Sequence, residues 1–407
     1  MKDYIFGFLK GDKWIWVCYI LLLGTSLMFV HSTTGVLEYH RNNTPVHFLI
    51  TQLMFCVVAG IVTFVTSNIS YKRLFNVANL ALYLGLFLLA FTLIWGDATN
   101  DAKRWLKIPI INQTLQTSDV AKLCLTIFVA KVMATHQKDD ADIFKGAKIA
   151  AIGIAATCLL IMPANLSTAL LIGVTMVLVL IIARVKIKHI AIAGAGLGLV
   201  ALLGIVVLGK TGALHRAETW VSRIEAFTQT DESTHKRDNF QAEQAKIAIA
   251  NGGFFGQGSG ASMQKNVIPH PYSDFIFASI IEERGLFAAL IIIALYVIIM
   301  HRSVIAARHQ TRAFPAFLCI GLALNIVLQA ISNMIVAVNL VPVTGQPLPL
   351  ISMGGTALIM TSISVGIILN ISRYSDKVGK ENEKEEIEEH DREQNIEDIT
   401  DYPFVIN

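Results

Sequence analysis

Residues 239–285 read NFQAEQAKIAIANGGFFGQGSGASMQKNVIPHPYSDFIFASIIEERG. This stretch holds a glycine-rich segment, polar and basic residues, two prolines and an aspartate, Asp274, at the point where an apolar helix is predicted to begin. Hydrophobic segments lie on both sides, and a long polar loop in such a setting is either a functional segment or a spacer. The interpretation of the whole chain therefore depends on where this loop lies relative to its flanks.

The composition is that of a protein embedded in a membrane. The chain has 407 residues, of which 54% are hydrophobic and 15% are charged, and its mean hydropathy is +0.57. A soluble protein carries about 25% charged residues, whereas here the charges lie between long apolar runs. The net charge of +3 gives no reason to expect nucleic acid as a partner. The five cysteines lie in apolar runs without metal-ligand spacing, so we interpret them as small hydrophobic residues.

Apolar runs of about 20 residues, the length that spans a bilayer, predict the fold class. Ten runs qualify, at residues 14–31, 47–66, 75–95, 118–134, 146–162, 166–183, 189–208, 275–300, 314–338 and 348–371. We therefore predict an all-α polytopic membrane protein with about ten transmembrane helices. Residues 1–373 form its transmembrane domain, and a large extracytoplasmic loop, about 209–274, lies between helices 7 and 8. Residues 374–407 form a charged cytoplasmic tail that we expect to be disordered.

The positions of lysine and arginine predict the orientation of the helices. Every even-numbered loop is basic, so we place both termini in the cytoplasm and the polar loops around 97–118, 162–167, 210–274 and 339–347 outside. The loop after the third helix is an exception, because it is placed outside although it carries Lys103, Arg104 and Lys107. These cations are either a tolerated local exception or a means of holding an anion.

Candidate site residues lie in these outer loops and at nearby helix ends. Asp274 is either the N-cap of the eighth helix, where the helix dipole favours a carboxylate, or an acid at the mouth of a polar cavity. Asp119 and Lys122 share a helix face, and they either form a structural ion pair or contribute positive potential through Lys122. We predict an outward cavity lined by Arg104, Lys122, Lys246, Lys265 and Asp274. Such a set suits a substrate that carries a pyrophosphate and a hydroxyl group to be activated.

Two glycine-containing segments are open to more than one interpretation. Glycines in residues 251–260, NGGFFGQGSG, let the backbone approach a ligand or adopt positive φ, but the GKT or GKS ending of a nucleotide-binding P-loop is missing. Residues 339–355 carry three prolines at membrane depth, where irregular backbone must be buried by protein or line a wet cavity. No serine-hydrolase elbow, HExxH or paired-cysteine metal motif appears. We predict no cofactor and no metal ligands, and we leave a divalent-cation requirement open.

Five stretches of the chain carry a family resemblance when taken together. They read AKRWL at 102–106, QTSDVAK at 116–122, ANLSTAL at 164–170, GGFFGQGSG followed by PHPYSDFIFASIIEERG within 252–285, and NLVPVTGQPLPLISMGG at 339–355. In combination they resemble the SEDS family (shape, elongation, division and sporulation) of bacterial peptidoglycan glycosyltransferases, over essentially all of residues 12–373. The LPLISMGG segment and the long charged tail favour the division branch over the elongation branch. The sequence departs from the family pattern at Thr117 (usually proline), Asp119 (glutamate), Asn165 (aspartate) and Met353 (tyrosine).

The resemblance implies a reaction and assigns residues to it. The reaction is the polymerisation of lipid II, the undecaprenyl-pyrophosphate-linked disaccharide-pentapeptide, for septal wall synthesis at the bacterial inner membrane. The essential aspartate of the family falls on Asp274, which would act as general base on the 4-hydroxyl of the acceptor sugar, with inversion at the donor. Because Asn165 cannot ionise, a family role for an acid at that position does not carry over. Partners implied by the family are a class B penicillin-binding protein transpeptidase, other division proteins and membrane lipid.

Residues around Asp274 are expected to bind the substrate. Arg104, with Lys122 or Lys246, would stabilise the developing pyrophosphate charge. Trp105 would either stack on a sugar or pack against its own loop. Gln244 and Lys265, in the large outer loop, complete the predicted substrate-binding set.

Other functions share the predicted architecture. A transporter that flips lipid II would also need an outer anionic cavity, although no clear inverted repeat is seen. A non-catalytic scaffold that recruits a penicillin-binding protein, and a related polymerase or ligase of other lipid-linked sugars, also remain open. An elongation polymerase is the nearest alternative within the family.

Overall fold

The computed structural model describes residues 10–33, 45–99, 102–108, 113–192, 194, 198, 236–264, 267 and 272–374. The helices named below are α1 (Lys13–Thr33), α2 (Pro45–Asn68), α3 (Tyr71–Trp95), α4 (Thr117–Thr135), α5 (Asp140–Ile161), α6 (Leu166–Ile182), α7 (Lys236–Gly252), α8 (Ile276–Arg308), α9 (Ala313–Ala337) and α10 (Gly355–Tyr374). Three short strands, β1 (Asp97–Thr99), β2 (Ala102–Ile108) and β3 (Gln113–Gln116), lie between α3 and α4.

Most of these helices can cross a membrane. In the described part of the chain, α1, α2, α3, α5, α8, α9 and α10 are each long and apolar enough to do so, and α6 is a shorter apolar helix. α4 has 19 residues and includes three charged side chains, Asp119, Lys122 and Lys131. Together with α4, these helices account for nine of the ten predicted spans. The polytopic helical fold is therefore confirmed, while most of the predicted seventh span, 189–208, and of the predicted tail, 374–407, lies outside the described residues.

Exposure separates the lipid-facing helices from the core. Large apolar side chains stay exposed along α2, α3 and the second part of α8, as expected for helices that face lipid. By contrast, α4, α9 and α10 are largely buried and form the centre of the bundle. The charged and amide side chains of α4 and α9 are therefore held between helices, where polar groups in a membrane find partners.

A small antiparallel sheet, which the sequence did not predict, lies between two helices of this fold. The strand order is β1-β2-β3, and Trp105 in the central strand lies opposite Asp97 of β1 and Gln116 of β3. Strands of three to seven residues are too short for hydrophobic periodicity to separate them from loop. Because β3 runs directly into α4 and pairs with β2, the sheet holds the segment that carries Arg104 next to the start of α4.

A helix also lies within the predicted outer loop. Ala242, Ala245 and Ala248 recur every three residues along α7 and are buried where α7 packs against α8. Their small side chains let the two helices approach closely, whereas Phe240 and Ile247 remain exposed. The sequence predicted a loop here because α7 is polar and its buried face consists of alanines, so no stripe of large apolar residues indicates a helix.

The path of α8 is interrupted at Gly285. Its φ of 76° and ψ of 179° fall in a region that is accessible essentially only to glycine. The glycine-rich loop, residues 252–260, docks against this break through four main-chain hydrogen bonds of 2.9–3.2 Å, which join Gln257 N to Glu282 O, Gly258 N to Glu283 O, Leu286 N to Gly253 O, and Phe287 N to Phe254 O. The loop thus supplies partners for the main-chain groups that the break removes from the helix, as a membrane helix requires.

The glycines of this loop therefore serve a contact between two parts of the chain. A Cβ atom on Gly252 would overlap the carbonyl of Ile281, and one on Gly256 would overlap the main chain at Glu283. The sequence left close approach and positive φ open for these glycines. The described residues show close approach to α8 at Gly252 and Gly256, and positive φ at Gly253, Gly256, Gly258 and Gly260.

The two ends of the bundle differ in their chemistry. At one end, the Asp12 carboxylate pairs with Arg302 near the end of α8, with 2.7 Å between Nε and Oδ2. The Asp12 main-chain N–H also donates to Ser372 Oγ in α10 at 2.9 Å. At the other end, Ser32 near the end of α1 donates to the Glu283 carboxylate. α1 and α8 therefore run antiparallel, and the loops that carry Asp274 lie at the end opposite Asp12.

Candidate functional site

Asp274 lies in the turn that precedes α8, and its carboxylate is partly exposed. Ser273 Oγ donates to Asp274 Oδ1 at 2.6 Å, and the other oxygen, Oδ2, faces Gly345, where a Cβ atom would lie 3.4 Å away. α8 begins at Ile276 with Phe275 as its N-cap and without a side-chain cap. Asp274 therefore does not cap the helix. Its carboxylate accepts no hydrogen bond from the N–H groups at the start of α8 and can still accept other hydrogen bonds.

The main chain around Asp274 is fixed by hydrogen bonds to three successive carbonyl oxygens. Met353 N donates to Tyr272 O at 3.0 Å, and Ser352 Oγ donates to Ser273 O at 2.7 Å. Asn333 Nδ2, on α9, donates to Asp274 O at 2.8 Å. The position of the carboxylate is thus set by contacts to the backbone that leave the side chain open.

Asn333 joins this turn to the second irregular segment. Its Nδ2 also donates to Gln346 O at 2.8 Å, so one buried amide bridges two main-chain carbonyls. Its Oδ1 is buried without a hydrogen-bond partner, and so is the hydroxyl of Thr344, next to Gly345. Buried polar atoms usually have partners, and an exception calls for a reason. Two such atoms beside Asp274 are consistent with a site that is completed by a bound molecule.

Residues 339–354 form the wall opposite Asp274. Gln329 Nε2 donates to Pro347 O at 3.0 Å, and Tyr296 donates to Pro349 O. Leu350 is buried and adopts a φ of 64°, which is unusual for a non-glycine residue. From Gln346 onward the irregular backbone is therefore largely buried by protein, as a segment at membrane depth requires.

Lys122 is connected to this wall through one amide. Its Nζ lies 3.3 Å from Asp119 Oδ1 and 2.7 Å from Gln329 Oε1, and Gln329 in turn binds Pro347 O. The predicted pairing of Asp119 and Lys122 is confirmed, with both side chains mostly buried. A narrow cleft between α4, α9 and α10, lined also by Asn325, lies beside the pair. Lys122 thus holds Gln329, and the positive potential it adds to a cavity stays a prediction.

Arg104 holds a different part of the outer surface. Its Nε donates to Ala164 O at 2.7 Å, in the turn between α5 and α6, and both line a small cleft with Gln116. Asn165 Oδ1 accepts from Thr168 N at 3.2 Å and so caps α6. The neutral Asn165 therefore serves a structural purpose that needs no charge.

A hydrogen bond from Gln346 connects the Arg104 side of the surface to the Asp274 side. Gln346 Nε2 donates to Thr168 Oγ1 at 2.6 Å, so the first turn of α6 holds the residue that follows Gly345. Trp105 is partly buried within β2, which accords with packing in its own loop. Arg104 and Asp274 thus belong to one connected outer surface, although no direct contact joins their side chains.

The remaining predicted residues make no described contact with Asp274. Gln244 and Lys246 lie on α7, the first partly exposed and the second exposed, and the structure shows no hydrogen bond or ion pair from either to Asp274. Lys265 lies outside the described residues. Within those residues, no three His, Cys, Asp or Glu side chains come together as a metal site would need.

Two residues that fix the backbone of this region were not among the predicted site residues. Asn333 is one of several polar residues in the otherwise apolar α9, with Asn325, Gln329 and Ser332, and a polar residue inside a span is itself a signal of a buried contact. Glu282 is fully buried, and its carboxylate accepts hydrogen bonds from Ser262 Oγ, Met263 N and Gln264 N. It holds the segment that follows the glycine-rich loop.

Comparison with known proteins agrees with this arrangement. The probable peptidoglycan glycosyltransferase FtsW of Alkalilimnicola ehrlichii is 32% identical over 361 residues, which is 86% of each chain. Stage V sporulation protein E of Bacillus subtilis is 30% identical over 361 residues, or 88% of this chain and 95% of that protein. A chain of a solved peptidoglycan synthase complex, described as coordinating polymerization and crosslinking, has a TM-score of 0.69 at 22% identity and covers 90% of this chain and 98% of its own. That likeness shows the same fold.

The family assignment rests on the length of the match. The model for the FtsW, RodA and SpoVE proteins, described as "Cell cycle protein", matches residues 12–377. The resemblance drawn from the sequence motifs is thereby confirmed, and the relatives named FtsW agree with its preference for the division branch. The chain belongs to the FtsW/RodA/SpoVE family of cell cycle proteins.

Proposed function

We propose that this protein is a peptidoglycan glycosyltransferase that polymerises lipid II for septal wall synthesis, with Asp274 as its general base. The observation that carries the proposal is the state of Asp274, an acid whose main chain is fixed by α9 and the 339–354 segment while its carboxylate stays open. The names of the relatives support the reaction class. A base must reach a substrate proton, and a carboxylate already saturated by protein donors cannot do so.

The chemistry assigned to the site is an inverting glycosyl transfer. Asp274 takes the proton of the acceptor 4-hydroxyl as that oxygen bonds to the anomeric carbon of the donor sugar. The bond from that carbon to the lipid pyrophosphate breaks, and the pyrophosphate leaves with the bonding electrons. Cations at the outer surface, Arg104 first and then Lys122 or Lys246, would stabilise the charge that develops on the leaving group.

The partner and location follow from the same proposal. A protein that makes glycan strands needs a transpeptidase to crosslink them, and the solved neighbour belongs to a synthase complex that does both. We infer a class B penicillin-binding protein as partner of this chain, together with other division proteins and membrane lipid. The site then faces the outside of the cytoplasmic membrane at the septum, and both termini lie in the cytoplasm.

The test is polymerisation of labelled lipid II by the purified chain together with its cognate class B penicillin-binding protein carrying an inactivated transpeptidase serine. We expect glycan ladders from the wild type and a rate reduced by about 10²- to 10⁴-fold in Asp274→Asn, the usual contribution of a general base. The matched control is Asp140→Asn, which removes a carboxylate that pairs with Lys186 on the exposed surface and should polymerise normally.

Three other outcomes of this assay would each change the proposal. Ladders from Asp274→Asn at the wild-type rate would keep the enzyme and remove Asp274 as base. An absence of ladders from every variant, with intact translocation of lipid II across vesicles, would establish the transporter instead. Ladders made only from another lipid-linked sugar would establish the related polymerase.

A further inference from the structure

The tip of the glycine-rich loop exposes two aromatic side chains. Phe254 and Phe255 are 52% and 80% exposed. Their rings meet edge to face at 4.9 Å between centroids, and the Phe254 ring lies 6.3 Å from that of Phe287 on α8. Large apolar side chains presented together by a loop mark a contact with something other than water.

The height of this pair along the bundle is fixed by main-chain hydrogen bonds. Phe254 O accepts from Phe287 N at 3.2 Å, and the preceding carbonyl, of Gly253, accepts from Leu286 N at 2.9 Å. The two phenylalanines therefore lie level with the first residues of α8 after its break at Gly285.

That level can be related to the bilayer through the length of α8. Charged side chains at 282–284 precede the break, and His301 and Arg302 end the apolar run that follows it. The run, residues 285–300, is 16 residues long, or about 24 Å. The hydrocarbon core is about 30 Å thick, and a tilt of about 20° would shorten the projected length further. Both ends of the run therefore lie within the hydrocarbon or at its edge, and so does the loop tip.

The surface next to the loop tip faces lipid. Leu286, Phe287, Leu290 and Ile291 on α8 are each about half exposed, at 45–53%. The contact between Phe254 and Phe287 makes the loop tip continuous with this surface. Such a loop is tolerated at membrane depth because its main-chain groups are satisfied by the break in α8.

We propose that the glycine-rich loop is a membrane anchor, which places Phe254 and Phe255 among the phospholipid acyl chains of the leaflet at the Asp274 end. The anchor then sets the height of the segment that Glu282 holds, residues 262–264, against the bilayer surface. The occupant is bulk phospholipid, because the aromatic pair continues the lipid-facing side of α8 and lies at the depth of the acyl chains. This inference does not depend on the reaction that the protein catalyses.

The test measures immersion depth directly. Phe255→Cys is labelled with a nitroxide, the full chain is reconstituted in phospholipid nanodiscs, and collisions with oxygen, which concentrates in hydrocarbon, are compared with collisions with a water-soluble nickel chelate. Leu290→Cys on α8 is the lipid-facing control, and Ser259→Cys, exposed four residues further along the loop, is the aqueous control. The five native cysteines are buried, and the unmutated chain carried through the same labelling gives their background.

We expect the label at 255 to resemble the label at 290, with an oxygen-to-nickel accessibility ratio several-fold above that at 259. A ratio equal to that at 259 would place the loop tip in water and overturn the proposal. Low accessibility to both reagents would mean that protein, such as a second copy of the chain, covers the pair, and this would overturn it as well. If Phe255→Cys does not keep the thermal unfolding temperature of the unmutated chain, the same comparison is made with Phe254→Cys.

Discussion

Two carboxylates separated by eight residues, Glu282 and Asp274, occupy opposite surroundings at the two ends of the first part of α8. Glu282 is fully buried and accepts three hydrogen bonds from residues 262–264. Asp274 is partly exposed, and the described residues give its side chain one donor, the Ser273 hydroxyl. An acid saturated by protein donors holds a loop in place, whereas an acid with spare acceptor capacity can take a proton from a substrate.

The same contrast extends to the segments around each acid. In the region of Glu282, the glycine-rich loop packs on α8 through main-chain hydrogen bonds. The N–H groups of the loop that form these bonds are therefore not available to bind a ligand. The region of Asp274 is fixed in its backbone but leaves the buried Asn333 Oδ1 and Thr344 Oγ1 without partners. Substitutions should therefore affect stability at the first region and activity at the second.

Gly285→Ala should have the largest effect. A Cβ atom there would overlap the carbonyl of Phe254, and its φ and ψ are open essentially only to glycine. Strain of about 1–3 kcal/mol and weakening of four main-chain hydrogen bonds worth about 1 kcal/mol each predict a loss of about 5 kcal/mol, measured by thermal unfolding in detergent. Gly60→Ala in α2, where a Cβ meets nothing within 4 Å, is the control. Equal unfolding temperatures for the two variants would show that the loop does not depend on the break.

The next comparison makes the same change at both acids. Glu282→Ala leaves three donors without their acceptor and should lower the free energy of unfolding by about 3 kcal/mol. Asp274→Ala should leave the unfolding temperature near that of the wild type while abolishing polymerisation. Thermal unfolding and the lipid II assay are run on both variants. The contrast fails if Asp274→Ala is as unstable as Glu282→Ala.

Asn333→Asp tests the bridge that holds the Asp274 main chain. The substitution puts a carboxylate oxygen against the carbonyls of Asp274 and Gln346, so it repels both. We expect the rate of polymerisation to fall roughly tenfold, because small displacements of a reacting group are costly, with substrate affinity changed much less. The measurement is the split between kcat and KM.

Gln310→Glu is the matched control for that experiment. Gln310 Nε2 also bridges two main-chain carbonyls, Ala306 O and Ile371 O, both at 3.1 Å, but it lies at the Asp12 end. The control should cost stability without changing the rate per folded molecule. A similar fall in kcat for both variants would mean that the rate reports general stability and not the position of Asp274.

Arg104→Ala should have the smallest effect of the series. The Nε of Arg104 is engaged by Ala164 O, and its route to Asp274 passes through α6 and Gln346. We expect KM for lipid II to rise about threefold, as for a partly exposed cation, with kcat unchanged. Lys107→Ala, on the same strand and exposed, should have no effect. Unchanged kinetics in Arg104→Ala would remove this arginine from the substrate site.

Much of the fold could be predicted because membrane spans are long and apolar. The nine described spans match those counted from the sequence, and Asp274 was located because it stands at the junction of loop and helix. By contrast, α7 was missed because its buried face consists of alanines. The sheet was missed because its strands are too short to show a period.

The contacts at the site could not be read from the sequence, because they join distant segments. The glycines of residues 252–260 show that a close approach is needed, but not that α8 is the element approached. Asn333 is visible as a polar residue inside an apolar helix, yet nothing along the chain identifies its partners as the carbonyls of Asp274 and Gln346. The pairing of Lys122 with Asp119 was predicted because both lie on one helix, whereas the bond from Lys122 to Gln329 was not.

Two of the contacts between the α1 segment and α8 have a mechanical consequence. One joins Ser32 to Glu283 and the other joins Asp12 to Arg302, and the intervals between them are 20 residues on α1 and 19 on α8. At about 1.5 Å per residue these are lengths of about 30 and 28 Å. The two contacts are therefore separated by nearly the same length on both helices, and α1 is fixed to α8 at both ends. Sliding by one helical turn would break both contacts together. The break at Gly285 lies between these two contacts on α8, so α1 holds the two parts of α8 at a fixed separation.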